Sequence, residues 1–206
     1  MSTLVGGVDV SRETMERLKV IEQLTLKWNK SINLVAENTL KDIWNRHIVD
    51  SAQLYAYAPD GFSRWVDLGS GGGFPALIVA AMGLELNPVA EFTLVESDAR
   101  KSQFLRNAVR ECGLNARVLV NRIEKVPPLA SDVITARALA PLSDLLSFCV
   151  MHGRDDVTAI FPKGRRYREE IEGARKNFRF DVVAHESLTD KEARILVVRN
   201  ILREPS

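Results

Sequence analysis

The stretch "DLGSGGGFP", Asp67 to Pro75, follows an apolar run and sets four glycines into five positions. Glycines so spaced let a chain turn sharply and bring its amide groups against a ligand with no side chain between. Two phosphate-binding patterns fail here. A dinucleotide fingerprint counted from Gly69 needs glycine at position 74, where Phe74 stands, and no G-x-x-x-x-G-K-[ST] follows. What remains is D-x-G-x-G, Asp67 to Gly71, in which Gly71 marks a close backbone approach. A second acid accompanies it: Glu96 ends the run "TLVES", where a carboxylate accepts hydrogen bonds from both hydroxyls of a ribose.

Other reactive residue types form weaker patterns. Cys112 and Cys149 are the only cysteines; they lie far apart without CxxC or metal-ligand spacing, so no metal site is expected and both read as buried thiols. His47, Asp50 and Ser51 are hydrolase residue types, but spacings of three and four put them on one helix face with no oxyanion-hole loop nearby. Residues 163–179, "KGRRYREEIEGARKNFR", hold seven basic and three acidic side chains. Arg165 and Arg166 sit near the expected start of a helix, where the macrodipole disfavours cations. Lys163, Arg165, Arg166 and Arg168 therefore suggest a phosphate-facing patch, against the plainer reading of a solvated helix with pairs such as Glu172 and Lys176.

These residues need a scaffold, and 206 residues with 46% hydrophobic content suffice for one ordinary core. Met15, Leu18, Ile21, Leu24 and Trp28 recur at helical spacing over about residues 11–30. A second helix is expected from a Thr39/Asp42 capping box through Ile43, His47, Ile48 and Tyr55 to the Pro59-Asp60-Gly61 break. Residues 1–62 thus read as a helical extension. From residue 63 to 206 the texture changes. "RWVDLG", "EFTLVES", "ARVLVN", "DVITAR" and "VTAIFPK" alternate with helix-compatible stretches, the pattern of a doubly wound, mostly parallel α/β sheet. "FDVVAHES" and "RILVVRN" follow a last helix with only "LTDKEA" between them, which predicts a closing antiparallel hairpin. No run approaches ~20 apolar residues and no signal peptide opens the chain, so membrane spanning and export are not expected and the reading is cytoplasmic. The net charge of +1 neither announces nor excludes a nucleic-acid partner.

D-x-G-x-G is the pattern of class I S-adenosylmethionine-dependent methyltransferases, with their Rossmann-like fold. Beyond it the chain resembles the bacterial 16S ribosomal RNA guanine-N7 methyltransferases, the glucose-inhibited division protein B family. The resemblance rests on "WNKSINL", "RHIVDS", "DLGSGGGFP", "LVESDARKSQFL", "NRIE", "ITARALAPL" and "PKG", in order over residues 28–164. One departure is Ala76, where the family usually has glycine. The resemblance implies S-adenosylmethionine as cofactor, held by Gly69 and Phe74 in the loop, Ile123 and Glu124 after the third strand, and Arg137 after the fourth. In chemical terms Ile123 can pack on an adenine face beside Phe74, and Glu124 or its neighbouring backbone can meet the exocyclic amine. The resemblance also implies a 16S RNA substrate, free or within a small-subunit particle, with position 527 as the methylated guanine. Arg46 is the better RNA-contact candidate of the "NRH" run and His47 a substrate-side one.

Exocyclic amino methylation typically uses [ND]-P-P-[YF] after the fourth strand; this chain has "TARALAPL" there. Cys149 reads as a small helix-face hydrophobe, not as the nucleophile that pyrimidine carbon methylation needs. Guanine N7 carries an in-plane lone pair and no proton, so positioning alone can suffice. Arg137 is then the catalytic candidate, expected to contact guanine O6, a phosphate or the cofactor carboxylate, with a sheet-edge salt bridge as its plainer role. Two other readings stay open: methylation of a small acceptor, and an RNA-binding module without turnover. No obligate protein partner is inferred.

Overall fold

A computed structural model describes residues 2–204. The chain opens with a two-stranded antiparallel ribbon, β1 (Thr3–Val5) and β2 (Val8–Val10), turned by Gly6 and Gly7. This ribbon adds a β element to the part read as wholly helical. Helix α1 (Arg12–Asn29) follows, its Ser11 cap accepting a hydrogen bond from the Thr14 amide. Glu85, from a distant helix, accepts from the Ser11 amide and the Thr14 hydroxyl, placing a carboxylate at the positive end of α1.

The expected second helix is broken into pieces. A 3-10 stretch (Glu37–Asp42), a π-helical turn (Trp44–Val49), the short α2 (Asp50–Ala52) and another 3-10 stretch (Gln53–Tyr57) replace it. Thr39 is no cap: its hydroxyl donates to the Ala36 carbonyl inside the 3-10 stretch. π turns of this kind re-aim side chains and recur at functional sites.

The sheet has the order β5-β4-β3-β6-β7-β9-β8. Its strands are β3 (Arg64–Leu68), β4 (Glu91–Glu96), β5 (Ala116–Val120), β6 (Ser131–Thr135), β7 (Gly153–Lys163), β8 (Phe178–Glu186) and β9 (Arg194–Arg203). β5 to β7 pair in parallel through β3, whereas β9 runs antiparallel between β7 and β8. This is the class I methyltransferase architecture with its antiparallel C-terminal hairpin. The chain winds outward from β3 through β4 to β5, then returns to the other side of β3 as β6. That reversal opens a crevice at the carboxyl edge, where such sheets bind ligands.

Helices α3 (Ala76–Leu86), α4 (Ala99–Glu111), α5 (Leu142–His152) and α6 (Tyr167–Ala174) cover the faces. α3 is apolar all round because it lies between the sheet and α1, and residues 76–83 are all buried. Ala76, the departure from the family pattern, is part of that core. Leu18, Ile21, Leu34 and Ile48 share one apolar cluster with α3, Phe92 and Phe104, which seats the N-terminal segment on the sheet. Among the described residues no helix is long and apolar enough to cross a membrane.

Candidate active site

Two cavities open at the carboxyl edge of the sheet. The first, about 790 Å3, is lined by the glycine loop, Glu96, Lys101, Arg122, Ile123 and Glu124. The second, about 880 Å3, is lined by Arg46, His47, Asp50, Arg166 and the β8–β9 loop at Thr189 and Asp190. Arg137 to Ala140, the segment leaving β6, borders both. Ala138 in that wall holds φ +52, a left-handed conformation that a residue with a side chain adopts at some cost.

The glycine loop is shaped by its own bonds. Gly71 has φ +54, and its amide donates to Glu96 Oε2 at 2.8 Å. Glu96 Oε1 accepts from the Asp98 amide at 2.7 Å, so both carboxylate oxygens are held by backbone. Each keeps a lone pair, and the group is 8% exposed. At Gly72 a Cβ would stand 2.6 Å from the Leu34 carbonyl oxygen, so only glycine lets the loop close against the segment after α1. Ile123 supplies an apolar wall beside these acceptors, and its carbonyl meets His152 Nε2 at 3.2 Å. A ribose diol, an apolar-faced base and a tail of mixed charge fit this donor set and volume.

Asp67, the first residue of D-x-G-x-G, lies behind the loop. The Trp65 indole donates to Thr135 Oγ1, and Thr135 donates to Asp67 Oδ1 at 2.7 Å, while Oδ2 is buried with no partner. Burial raises its pKa from 3.8 to about 7. Below pH 3.8 Asp67 is protonated folded and unfolded; between 3.8 and about 7 only the unfolded chain has released the proton, so stability falls across that window and stays level above it. Asp67→Asn removes this titration. Melting curves should show the variant gaining on the parent protein between about pH 4 and pH 8; an equal difference at both ends refutes the assignment.

Arg137 is gripped from the N-terminal segment. One terminal nitrogen donates to Asp50 Oδ2 at 3.1 Å and to the Arg46 carbonyl at 3.4 Å, and the other donates to His47 Nδ1 at 2.6 Å. His47 Nε2 meets Thr39 Oγ1 at 2.8 Å. The Thr39 hydroxyl already donates to Ala36, so it accepts here, and His47 is the neutral Nε2–H tautomer. Burial, with Arg137 and Arg46 nearby, lowers the His47 pKa to about 4. Asp50 Oδ1 accepts from Thr189 and Gln53, tying the β8–β9 loop to the same assembly. Of the five guanidinium N–H groups of Arg137, three are used and two remain for a ligand.

This placement revises several expectations. His47, 6% exposed, has both ring nitrogens engaged, one by Thr39 and one by Arg137, so its ring offers no free polar atom to the second cavity. Phe74 lines the first cavity, but its ring is occupied by His47, at 5.0 Å between centroids, and by Arg137, at 5.6 Å. Lys163 faces inward and bonds the Ala140 carbonyl at 2.9 Å and Glu170 at 2.7 Å. Glu170 in turn caps α5 through the Leu142 amide, so Lys163, which also lines the second cavity, ties the shared wall to α6 and has its charge paired. Arg46, Arg165, Arg166 and Arg168 remain exposed, and Arg46 and Arg166 both line the second cavity. The sequence reading named Asp50 and Thr39 without giving them a part in this site, and it did not name Thr189. The i,i+3 spacing of His47 and Asp50 was visible, but their common target, Arg137, is 87 residues from Asp50.

Comparison with known proteins places the chain in a family. The family described as rRNA small subunit methyltransferase G, GidB, matches residues 14–201. A Ruegeria pomeroyi protein named ribosomal RNA small subunit methyltransferase G is 48% identical over 196 residues, 95% of this chain and 96% of the relative. One of the same name from Rhizobium meliloti is 43% identical over 208 residues, covering 98% and 97%. Among solved structures, cofactor-bound Rv0187 from MTB superposes with a TM-score of 0.64 at 10% identity, over 90% of each chain. M. jannaschii TYW2 in complex with AdoMet gives 0.59 at 9% identity, over 85% of this chain and 80% of that one. At those identities the structures speak for the fold, whereas the full-length sequence relatives and the matched family speak for descent: this chain belongs to the family of ribosomal RNA small subunit methyltransferases G.

Proposed function

We propose that the chain methylates guanine N7 in 16S ribosomal RNA, at the family's position 527, with S-adenosylmethionine as donor. The observation that carries this reading is the pair of cavities sharing the wall Arg137–Ala140: one suits a nucleoside with a free diol, the other is bordered by Arg46 and Arg166. S-adenosylmethionine, when bound, supplies a methyl group on a positively charged sulfur. Glu96 would hold the ribose, with Gly69 and Gly71 shaping the loop against it, Ile123 would back the base, and Glu124 lines the same cavity as a candidate for the amine. Arg137 orients the acceptor at the boundary with its two free N–H groups, which suit guanine O6 or a phosphate.

Guanine N7 has no proton to lose, so no side chain must accept one. His47 is consistent with that, since its one basic nitrogen is occupied by Arg137. Arg165, Arg166 and Arg168 meet the RNA backbone. The N-terminal residues 1–62 form the extension that brings Arg46 and the Arg137 clamp to the catalytic domain, 63–206. The reaction runs in the cytoplasm, on 16S RNA that is free or within a small-subunit particle.

Incubation with labelled S-adenosylmethionine and hypomethylated small subunits should put label at one guanine. Reduction and aniline treatment should then cut the RNA at that nucleotide. Label without a strand break rules out N7, and label on small acceptors but not on RNA rules out the substrate class.

A further inference from the structure

The whole chain has a net charge of +1, yet residues 99–125 carry seven basic and two acidic side chains. This excess lies around α4 and the edge strand β5, away from the α6 arginines. On α4 the buried residues are Ser102, Phe104, Leu105 and Ala108, which turn Arg100, Gln103, Arg106 and Arg110 outward as one exposed strip. Lys101 and Arg122 extend the strip to the rim of the first cavity. Among the described residues, Arg100, Lys101, Arg106 and Arg122 have no carboxylate within 4.0 Å; Arg110 touches Glu111 at 3.3 Å on the open surface. Unpaired cations on one face repel one another, and an external polyanion relieves that repulsion.

We propose that the exposed face of α4 is a second RNA-backbone surface, separate from α6; the proposal rests on an RNA substrate for this chain. Arginine dominates the strip, and its planar fork suits phosphate, while Gln103 offers an amide donor to phosphate or sugar. Arg100 and Arg110 are about 15 Å apart along the helix. β5 and β7, the strands nearest the two basic surfaces, lie four strand spacings apart, about 19 Å. One RNA held on both sides would cross the carboxyl edge of the sheet and pass over the two cavities. The target nucleotide is then presented by a folded segment anchored on each flank, which explains why a small charge total accompanies a polyanionic substrate.

The test uses the triple variant Arg100→Gln, Arg106→Gln, Arg110→Gln and protein-free 16S RNA, with affinity measured against salt. For every phosphate that the variant no longer neutralises, the log–log slope should flatten by about 0.7 to 0.9, while affinity for S-adenosylhomocysteine and kcat at saturating RNA stay unchanged. An unchanged slope overturns the proposal. A parallel variant, Arg165→Gln, Arg166→Gln, Arg168→Gln, separates causes: if it flattens the slope and the α4 variant does not, only the α4 surface falls. If the parent protein shows no salt-dependent RNA binding, the RNA substrate falls with it. A defect seen on small-subunit particles but not on protein-free RNA overturns the RNA assignment in favour of an acidic protein surface.

Discussion

Arg137→Ala is expected to lower methyl transfer to small subunits by at least about tenfold, with the circular dichroism spectrum retained. Removing the guanidinium takes away the two free N–H groups at the wall between the cavities and leaves Asp50 and His47 facing an empty space. The same geometry separates a positioning role from a merely structural one at His47. His47→Asn keeps an acceptor near the place of Nδ1 and should recover much of the rate. His47→Gln puts its polar atoms nearer Thr39, and His47→Ala has none, so both should resemble Arg137→Ala. Steady-state kinetics at saturating cofactor decide this. Equal rates for the asparagine and alanine variants would exclude a role for the Nδ1 hydrogen bond, and an Arg137→Ala enzyme of full activity would remove Arg137 from the site.

Glu96→Ala should weaken S-adenosylhomocysteine binding by roughly tenfold to a hundredfold, equivalent to about 1.5 to 3 kcal/mol. The loss has two origins. One is the acceptor pair for the ribose diol; the other is the loop itself, because Glu96 is the partner of both the Gly71 and the Asp98 amides. Glu96→Gln tests the second origin. An amide presents one acceptor and one donor, so it cannot accept from both backbone N–H groups, and this near-isosteric change should bind almost as poorly as alanine. Calorimetry on folded variants gives the answer directly. Glutamine binding as tightly as glutamate would mean that the loop does not depend on the carboxylate, and alanine binding normally would refute the pocket.

The strands, the glycine turn and the acid after the second sheet strand were legible because each is a local pattern. Alternating or continuous β-branched runs, glycine at a tight turn and a polar residue closing an apolar stretch carry their meaning within about ten residues. "RWVDLG" and "EFTLVES" became β3 and β4 nearly residue for residue. The closing hairpin was legible for the same reason: the short "LTDKEA" cannot hold a crossover helix.

The segment 37–57 was not legible as built. Its periodicity suits one α-helix, but the helix breaks into 3-10 and π turns so that His47 and Asp50 can both reach Arg137 and Ile48 can enter the core. Local propensity is worth tenths of a kcal/mol per residue and yields to tertiary contacts of that strength. The basic residues show the same limit. Lys163 stands in the sequence beside Arg165 and Arg166 as one more cation, yet it is half-buried and paired with Glu170 and the Ala140 carbonyl, whereas its neighbours are exposed.

The sequence by itself determined the sheet, the glycine turn with the acid that closes the next strand, and the family. All are written in short-range order, where neighbouring residues decide the backbone. Tertiary structure alone decided which charged groups are free: it turned His47 and Lys163 into braces, gave Arg137 three fixed partners, and buried Asp67 until its proton is held to about pH 7. The physical reason is that charge and hydrogen-bonding capacity belong to the residue, whereas desolvation and partnership belong to whatever the fold sets against it.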